Sequence, residues 1–195
     1  MTILVPALNE EATIAEVVDR LLALPFDKQI IVMDNGSTDS TGSILASYGD
    51  AIEVVSHKEK TGKGDSIRSA LPYAKGEVVV IQDADLEYFP EEIPALVAPI
   101  LGGKTNVAYG SRFMHGMPKG MALPNMIVNK LLAWAVRLLF GKRLTDEATC
   151  YKAFRRDLLV SMNLECHRFE FCPEVTAKAY RLGETIVEVP IRYEP

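Results

Sequence analysis

The sequence has few cysteines, no long uninterrupted apolar run and no excess of positive charge. Its three cysteines form no Cys-x-x-Cys pair in 195 residues, which disfavours a disulfide framework and favours reduced thiols in a cytoplasmic protein. The longest apolar segment, 126–140, is too short to span a membrane and is interrupted by Asn129, Lys130 and Arg137. Met1 leads directly into an apolar strand, so we expect no signal peptide. The net charge of −5 argues against nucleic acid as a partner.

The composition is that of an ordinary globular protein. Hydrophobic residues make up 48% and charged residues 24% of the chain, which excludes a disordered chain. The length fits one domain of typical size, and we predict a single domain over residues 1–195. No linker, internal repeat or low-complexity stretch divides it.

Short apolar runs alternate with segments of helical periodicity in the first half of the chain. The runs predicted to be strands are 3–7, 29–33, 52–55 and 77–82. Such alternation, with strands that are apolar throughout, predicts a parallel sheet covered by helices on both faces. The second half is less regular, and its predicted elements are helices at 90–101, 123–140 and 170–182 and strands at 106–109 and 185–191.

Polar and acidic residues follow the predicted strands. Asn9 and Glu10 follow the first strand, where Asn9 is also a good helix N-cap, and Asp83 and Asp85 follow the fourth. Ligands bind at this edge of parallel sheets. Two carboxylates held together there repel each other, and a bound Mg²⁺ or Mn²⁺ removes that cost. The alternative for Asp83 and Asp85 is a solvated acidic turn.

Two further turns carry residues suited to a nucleotide. Asp34, followed by Asn35-Gly36-Ser37, ends the second strand, where an acidic residue often accepts hydrogen bonds from ribose; a simple capping turn is the alternative. The segment 61–64 (TGKG) allows close backbone approach to a ligand with Lys63 near a phosphate, or is a flexible turn. Neither a Gly-x-Gly-x-x-Gly fingerprint nor a P-loop is present, which disfavours a dehydrogenase and a P-loop enzyme.

Eight segments in order resemble the family 2 glycosyltransferases, and in particular the dolichol- or polyprenyl-phosphate sugar synthases. They are VPALNEE (5–11), MDNGSTDST (33–41), GKG (62–64), DADLEYFPEEI (83–93), GSRF (110–113), TDEATCYKAF (145–154), FEFCPEVTAK (169–178) and EVPIRY (188–193). The resemblance implies a three-layer GT-A fold, in which helices flank a mostly parallel central sheet. It also implies inverting transfer of a hexose from a nucleoside-diphospho-sugar of the GDP-mannose or UDP-glucose type, with Mg²⁺ or Mn²⁺ as cofactor.

The resemblance also implies roles for individual residues. Residues 1–112 would form the nucleotide-sugar and metal half and 113–195 the acceptor-side half. Arg112 would lie near an acceptor phosphate. Apart from the resemblance, Lys119 and Lys130 would add charge there if the loop and helix that carry them fold over the same side. The expected metal ligands are Asp83, Asp85 and Glu87. The expected donor-binding residues, with Asn35 and Lys63 added from the turn analysis, are Pro6, Leu8, Asn9, Glu10, Asp34, Asn35, Lys63 and Asp83.

The acceptor decides whether the reaction needs a general base. A phosphate is already anionic and needs none, whereas a hydroxyl needs a carboxylate within reach. Asp146 is the first candidate, ahead of Glu170 and Glu174, so the expected catalytic residues are Asp85, Asp146 and Arg112. The segment 122–137 lacks the arginine cluster of related mannosyltransferases, and Asn35 stands where many members have aspartate.

Other functions remain open at this point. The acceptor is a polyprenyl or dolichyl phosphate, or a sugar hydroxyl in cell-envelope glycan synthesis. A sugar-phosphate nucleotidyltransferase and a nucleotide-binding module without turnover are the alternatives to a glycosyltransferase. The helix 123–140, with Trp134, Lys130 and Arg137, packs on the core or lies on the cytoplasmic face of a membrane.

Overall fold

Strands of the two halves form one sheet in the computed structural model, which describes residues 1–118 and 120–195. The order across the sheet is β3-β2-β1-β4-β6-β5-β7. Strand β6 is antiparallel to both neighbours, and the other pairings are parallel, which confirms the predicted mostly parallel sheet. The strands are β1 (Thr2–Ala7), β2 (Gln29–Asp34), β3 (Glu53–Ser56), β4 (Val78–Ile81), β5 (Val107–Ser111), β6 (Lys152–Arg155) and β7 (Ile186–Pro190).

Helices cover both faces of this sheet and complete three layers. Helices α1, α2 and α4 pack on one face, and α3, α5, α6 and α7 pack on the other. The helices are α1 (Ile14–Leu22), α2 (Thr41–Ala46), α3 (Lys63–Ala70), α4 (Ile93–Leu101), α5 (Leu123–Phe140), α6 (Arg156–Ser161) and α7 (Phe171–Arg181). Short 3₁₀ turns lie at Gly49–Ala51, Leu71–Tyr73 and Pro90–Glu92.

The period of two along β1 explains why that strand is apolar throughout. Ile3 and Val5 belong to the core beneath α1 and α4, whereas Leu4 belongs to the core on the opposite face. Because successive side chains of a strand point to opposite faces, a sheet buried on both sides needs an apolar residue at every position. Because β1, β2, β4 and β5 run in the same direction and β6 runs in the opposite one, the carboxyl ends of these four strands and the amino end of β6 lie at the same edge of the sheet.

One local expectation was wrong, and two elements were not predicted. Asn9 is not the N-cap of α1, which begins at Ile14 with Thr13 before it. Asn9 instead adopts a left-handed conformation with φ of 57°, and its Oδ1 accepts a hydrogen bond from the Thr38 amide at 2.8 Å. Strand β6 and helix α6 were not predicted, since 152–161 shows neither a long apolar run nor a clear helical period.

Helix α5 has the predicted bounds, but little of it is buried. Asn129 and Val136 are its buried residues. Contrary to the expectation from the segment 126–140 alone, the whole helix is long and apolar enough to cross a membrane by length and composition, and 17% of its apolar window is buried. Its exposed large apolar side chains are Leu123, Ile127, Val128, Leu131, Trp134, Leu138 and Leu139.

Candidate active site

A cavity of about 760 Å³ opens where the strands meet at the carboxyl edge of the sheet. Its walls come from the segments that follow β1, β2, β4 and β5, from the start of α3 and from the residues before β6 and α7. This arrangement brings together side chains that the sequence scatters over more than half of the chain. The predicted site residues among its lining are Pro6, Leu8, Glu10, Asn35, Lys63, Asp83, Asp85, Glu87 and Arg112.

Lys63 and Asp83 form an ion pair inside the cavity. Lys63 is the first residue of α3, and Asp83 follows β4. Burial lowers the pKa of Lys63, but the attraction of Asp83 outweighs it and holds that pKa well above its ordinary value. The ammonium therefore stays charged and offsets the charge of one of the two predicted metal-binding aspartates.

Asp85 lies at the exposed mouth of the cavity. Its Oδ1 accepts a hydrogen bond from the Glu87 amide at 3.1 Å, and Leu86 between them is left-handed with φ of 63°. Partial desolvation, together with the charge of Asp83, raises the pKa of Asp85 to about 6. A divalent cation would relieve this repulsion, because it favours the ionised carboxylate.

The predicted metal ligands share the cavity without forming a closed metal cage. Within residues 1–118 and 120–195, no three His, Cys, Asp or Glu side chains converge to hold an ion. Mg²⁺ is usually bound by one or two carboxylates, with substrate phosphates and water completing the shell. The hard oxygens of Asp83 and Asp85 therefore fit Mg²⁺ or Mn²⁺ held jointly with a nucleotide.

Two of the predicted donor residues, Asp34 and Asn9, lie outside the cavity lining. The Asp34 carboxylate is buried and accepts a hydrogen bond from the Ser37 amide at 3.0 Å, so it caps its own turn. Asn35 does line the cavity, and its Oδ1 accepts from the Thr61 hydroxyl at 3.2 Å. In this conformation the capping alternative describes Asp34, and its role in nucleotide binding stays a prediction.

Gly62 and Gly64 allow the backbone of the loop 166–168 to approach closely. The amides of Gly64 and Asp65 donate to the carbonyls of Arg168 and His167 at 3.0 and 3.1 Å. A Cβ on Gly62 would lie 2.1 Å from the His167 oxygen. Residues 166–168 thus occupy the close backbone approach expected for a ligand, while Thr61, Gly62 and Lys63 of this turn still line the cavity.

Arg112 and Asp146 form a buried two-pronged ion pair. The Arg112 Nε and Nη2 donate to the Asp146 Oδ2 and Oδ1 at 2.7 and 2.8 Å, and the Arg112 amide donates to Oδ2 at 3.0 Å. Desolvation lowers the pKa of Arg112, but these bonds outweigh it and raise that pKa above its ordinary value. Asp146 has no exposed surface, so this conformation favours a positioning role over that of a general base.

The other two candidate bases are also occupied by hydrogen bonds. Glu174 accepts from the amides of Glu165 and Cys166 at 2.7 and 2.8 Å and pairs with Lys178 at 2.7 Å. Burial raises the pKa of Glu174, but hydrogen bonds from the Cys166 thiol, from Lys178 and from the two amides lower it to about 2. Glu170 accepts from the Arg168 amide at 2.7 Å. Both carboxylates shape the loop before α7.

Of the two lysines expected near the acceptor, the structure describes Lys130. Lys130 is exposed on α5 and is not part of the lining. Lys119 lies outside the described residues. Of Arg112 and Lys130, the structure brings Arg112 to the cavity.

Several lining residues were not predicted as site residues, and they include Lys60, Tyr88, Ala148, Cys150, Arg168 and Phe169. Tyr88 stacks on Tyr151 with ring centroids 5.3 Å apart. Phe169 is 83% exposed at the cavity mouth, which is unusual for a large aromatic side chain. The segments 83–93 and 169–178 stood out in the sequence, but only the tertiary structure shows that Tyr88 and Phe169 reach the cavity.

Known proteins share both the sequence pattern and the fold. The chain is 29% identical over its whole length to a low-salt glycan biosynthesis hexosyltransferase of Haloferax volcanii. It is 30% identical over 89% of its length to the undecaprenyl-phosphate 4-deoxy-4-formamido-L-arabinose transferase of Shewanella sediminis. The chain spans about half of each of these relatives, 48% and 53% respectively.

A solved structure supports the GT-A fold. Glucosyl-3-phosphoglycerate synthase of Mycobacterium tuberculosis, in complex with Mn²⁺, UDP-glucose and phosphoglyceric acid, superposes with a TM-score of 0.79. It is 28% identical, and the match covers 100% of this chain and 72% of that one. The model of the family described as glycosyl transferase family 2 matches residues 2–161. With this match and the shared fold, the chain belongs to glycosyl transferase family 2.

Proposed function

We propose that this chain transfers a hexose, with inversion, from a nucleoside-diphospho-sugar to the phosphate of a polyprenyl or dolichyl lipid. The observation that carries the proposal is that Asp83, Asp85 and Arg112 line one cavity of about 760 Å³. The carboxylates suit a metal-bound donor diphosphate, and the guanidinium suits an anionic acceptor. Residues 1–195 act as one catalytic domain, in which 1–112 supplies the donor and metal groups and 113–195 forms the acceptor side.

The donor side must stabilise the negative charge that develops on the departing nucleoside diphosphate. Asp83 and Asp85, with Glu87 close by, would hold Mg²⁺ or Mn²⁺, which when bound supplies Lewis-acid stabilisation of the diphosphate oxygens. Lys63 keeps Asp83 in place through their ion pair. Pro6, Leu8 and Glu10 line the same cavity at the end of β1, and they would hold the nucleoside.

The acceptor side suits a group that is already ionised. Arg112 uses Nε and Nη2 for Asp146, and a guanidinium has five N–H donors, so others remain for a phosphate. A phosphate acceptor needs no general base. The three candidate bases for a hydroxyl acceptor are all engaged elsewhere, which supports this choice. Asp146 is bound to Arg112, Glu170 accepts from the Arg168 amide, and the pKa of Glu174 is lowered to about 2.

A second acceptor class is a small phosphorylated acid. The solved structure from Mycobacterium tuberculosis contains phosphoglyceric acid, and Arg112 would bind its phosphate by the same hydrogen bonds. The exposed apolar surface of α5 favours the lipid acceptor, because such a surface, with Lys130 and Arg137 on the same helix, fits the cytoplasmic face of an anionic membrane. We place the protein in the cytoplasm, peripheral to that membrane.

The test is a transfer assay with a matrix of donors and acceptors. The purified chain is incubated with Mn²⁺ or Mg²⁺ and UDP- or GDP-hexoses, with a short polyprenyl phosphate, phosphoglyceric acid or no acceptor. Nucleoside diphosphate release and product mass are measured. We expect metal-dependent formation of the polyprenyl-phospho-hexose. Product formed only with phosphoglyceric acid would show that the acceptor is a small phosphorylated acid and not a lipid phosphate. In a separate incubation with a nucleoside triphosphate and a sugar phosphate, release of pyrophosphate would indicate a nucleotidyltransferase.

A further inference from the structure

Asn129 is a buried polar residue on a helix that is otherwise mostly exposed. It is 2% exposed, and it lies between the exposed residues Val128 and Lys130 on α5. A helix that needed only to pack on the core would carry an apolar residue at this position, since burying an amide is unfavourable unless it is hydrogen-bonded. The hydrogen bonds of the Asn129 amide therefore indicate why a polar residue is buried at this position.

Both ends of the Asn129 amide bind the backbone of the loop 145–148. Its Nδ2 donates to the Thr145 carbonyl at 3.0 Å, and its Oδ1 accepts from the Ala148 amide at 2.9 Å. These residues belong to no helix or strand, so the loop has no ladder of its own to satisfy its backbone groups. Asn129 thus fixes the two ends of the loop.

The residue held between these two anchors is Asp146, the partner of Arg112. Asp146 accepts three hydrogen bonds from Arg112, and Ala148 lines the same cavity as Arg112. From the other side, Glu188 of β7 accepts from the amides of Thr145 and Asp146, each at 2.9 Å. Hydrogen bonds from α5 and from β7 thus hold the loop 145–148 on two sides. Because Asp146 belongs to this loop, they also determine where Arg112 lies.

We propose that Asn129 is a positioning residue, which holds the loop 145–148 so that Asp146 presents Arg112 to the acceptor. This rests on the proposed function, because it assigns Asn129 to the acceptor side of the same cavity. Its consequence is that a displacement of α5, whose apolar surface is exposed, reaches Arg112 through two hydrogen bonds.

The test compares two substitutions at Asn129 with a matched control. Asn129→Leu removes both hydrogen bonds, whereas Asn129→Asp keeps an acceptor for the Ala148 amide and loses the donor to Thr145. Asn125→Leu is the control, since Asn125 is exposed on the same helix one turn earlier. All three variants are first checked for folding by circular dichroism and melting temperature, and Asn129→Asp serves if Asn129→Leu does not fold.

The first measurement does not depend on activity. Hydrogen exchange is followed in the peptides that contain Arg112 and residues 145–148. We expect Asn129→Leu to accelerate exchange there by about tenfold or more, because the lost bonds leave buried backbone groups unsatisfied. We expect a smaller change in Asn129→Asp and none in Asn125→Leu. Unchanged exchange in both Asn129 variants would overturn the proposal even if no lipid-phosphate transfer is found.

The second measurement separates positioning from general stability. In Asn129→Leu we expect acceptor kcat/KM to fall about tenfold while the dissociation constant of the nucleoside diphosphate with Mn²⁺ changes less than about twofold. Combined with Arg112→Lys, the loss should be smaller than the product of the two single losses, because both act on one interaction. Independent effects, or a parallel loss of donor binding, would show that Asn129 is only structural.

Discussion

Lys63 and Asp83 lie 20 residues apart in sequence and form an ion pair in the lining of the cavity. The pair links the start of α3 to the end of β4, and it offsets the charge of one aspartate of the Asp83-Ala84-Asp85 motif. Asp85 lies at the mouth of the cavity and is not part of this ion pair. The pKa of its carboxyl is raised to about 6. The two aspartates therefore differ in what they can do for a metal-bound donor.

Asp85→Asn should reduce transfer by about 100-fold or more, because a lost charged ligand costs several kcal/mol of transition-state stabilisation at roughly 1.4 kcal/mol per factor of ten. Nucleoside diphosphate release at increasing Mn²⁺ measures the loss, and EDTA should reproduce it in the unmodified protein. Glu91→Gln, which changes an exposed carboxylate paired with Arg20, is the control. Full activity of Asp85→Asn in EDTA would rule out the metal assignment.

Arg112→Lys should raise the acceptor KM or lower kcat by about tenfold, since a point charge replaces a planar fork. Binding of the donor and its slow hydrolysis by water should be nearly unchanged. The variant Arg112→Ala alone leaves Asp146 as a buried unpaired charge and should be unstable. The double variant Arg112→Ala with Asp146→Asn should recover stability but not transfer. A parallel fall in hydrolysis would place Arg112 at the donor diphosphate instead.

Gly62→Ala should destabilise the protein by about 1–3 kcal/mol, a typical cost of overpacking. The added Cβ would lie 2.1 Å from the His167 carbonyl oxygen, so the loop 166–168 must move away from the start of α3. Urea unfolding measures the change. Gly102→Ala is the control, since its Cβ would meet the Ala98 oxygen at 3.2 Å. Equal stability of the two variants would mean that this loop gives way easily.

The stabilisation from Glu174 should depend on pH in a defined direction. Hydrogen bonds lower the pKa of Glu174 to about 2 in the folded protein, below its value in the unfolded chain. Its ionised form therefore stabilises the fold fully above the unfolded pKa, and this stabilisation is lost as the pH falls toward about 2. Unfolding free energies of the unmodified protein and Glu174→Gln should differ near neutral pH and converge in acid. The exposed Glu165→Gln should show little difference at any pH, and a gap that persists in acid would exclude the ionised carboxylate as its source.

The single tryptophan offers a direct probe of α5 at a lipid surface. Trp134 is 62% exposed, and it is the one tryptophan in the sequence. Vesicles that contain phosphatidylglycerol should shift its emission to the blue, and added salt should weaken the effect. Leu138→Glu should abolish the shift, whereas Val160→Glu, at an exposed apolar position on α6, should not. An equal shift with purely zwitterionic vesicles would exclude the contribution of charge.

The sequence predicts those parts of the fold that have a local signal. Continuous apolar runs located β1, β2 and β4, and α5 has the bounds 123–140 that its sequence indicates. Strand β6 has no such signal, because Lys152 and Arg155 flank two apolar residues. Its place between β4 and β5 depends on pairing between distant segments, which no local pattern encodes.

The candidate site divides in the same way. Asp83 and Asp85 were identified because they directly follow a buried strand. In a parallel sheet, residues at this place lie at the carboxyl edge, where ligands bind. The pairing of Arg112 with Asp146 could not be read from the sequence, since it depends on how 145–148 folds back on β5. The role of Glu174 could not be read from the sequence either. Its carboxylate accepts hydrogen bonds from the backbone amides at 165 and 166, so it is not free to act as a general base.

The position of β6 has a consequence for the order of events during synthesis. Strand β4, buried throughout, pairs with β1 on one side and β6 on the other. Until residues 152–155 leave the ribosome, one edge of β4 stays open, although 1–112 contains most strands of the sheet. An open apolar edge is a template for intermolecular pairing, so we expect the emerging chain to be prone to aggregation, and to capture by chaperones, in the interval before β6 pairs with β4.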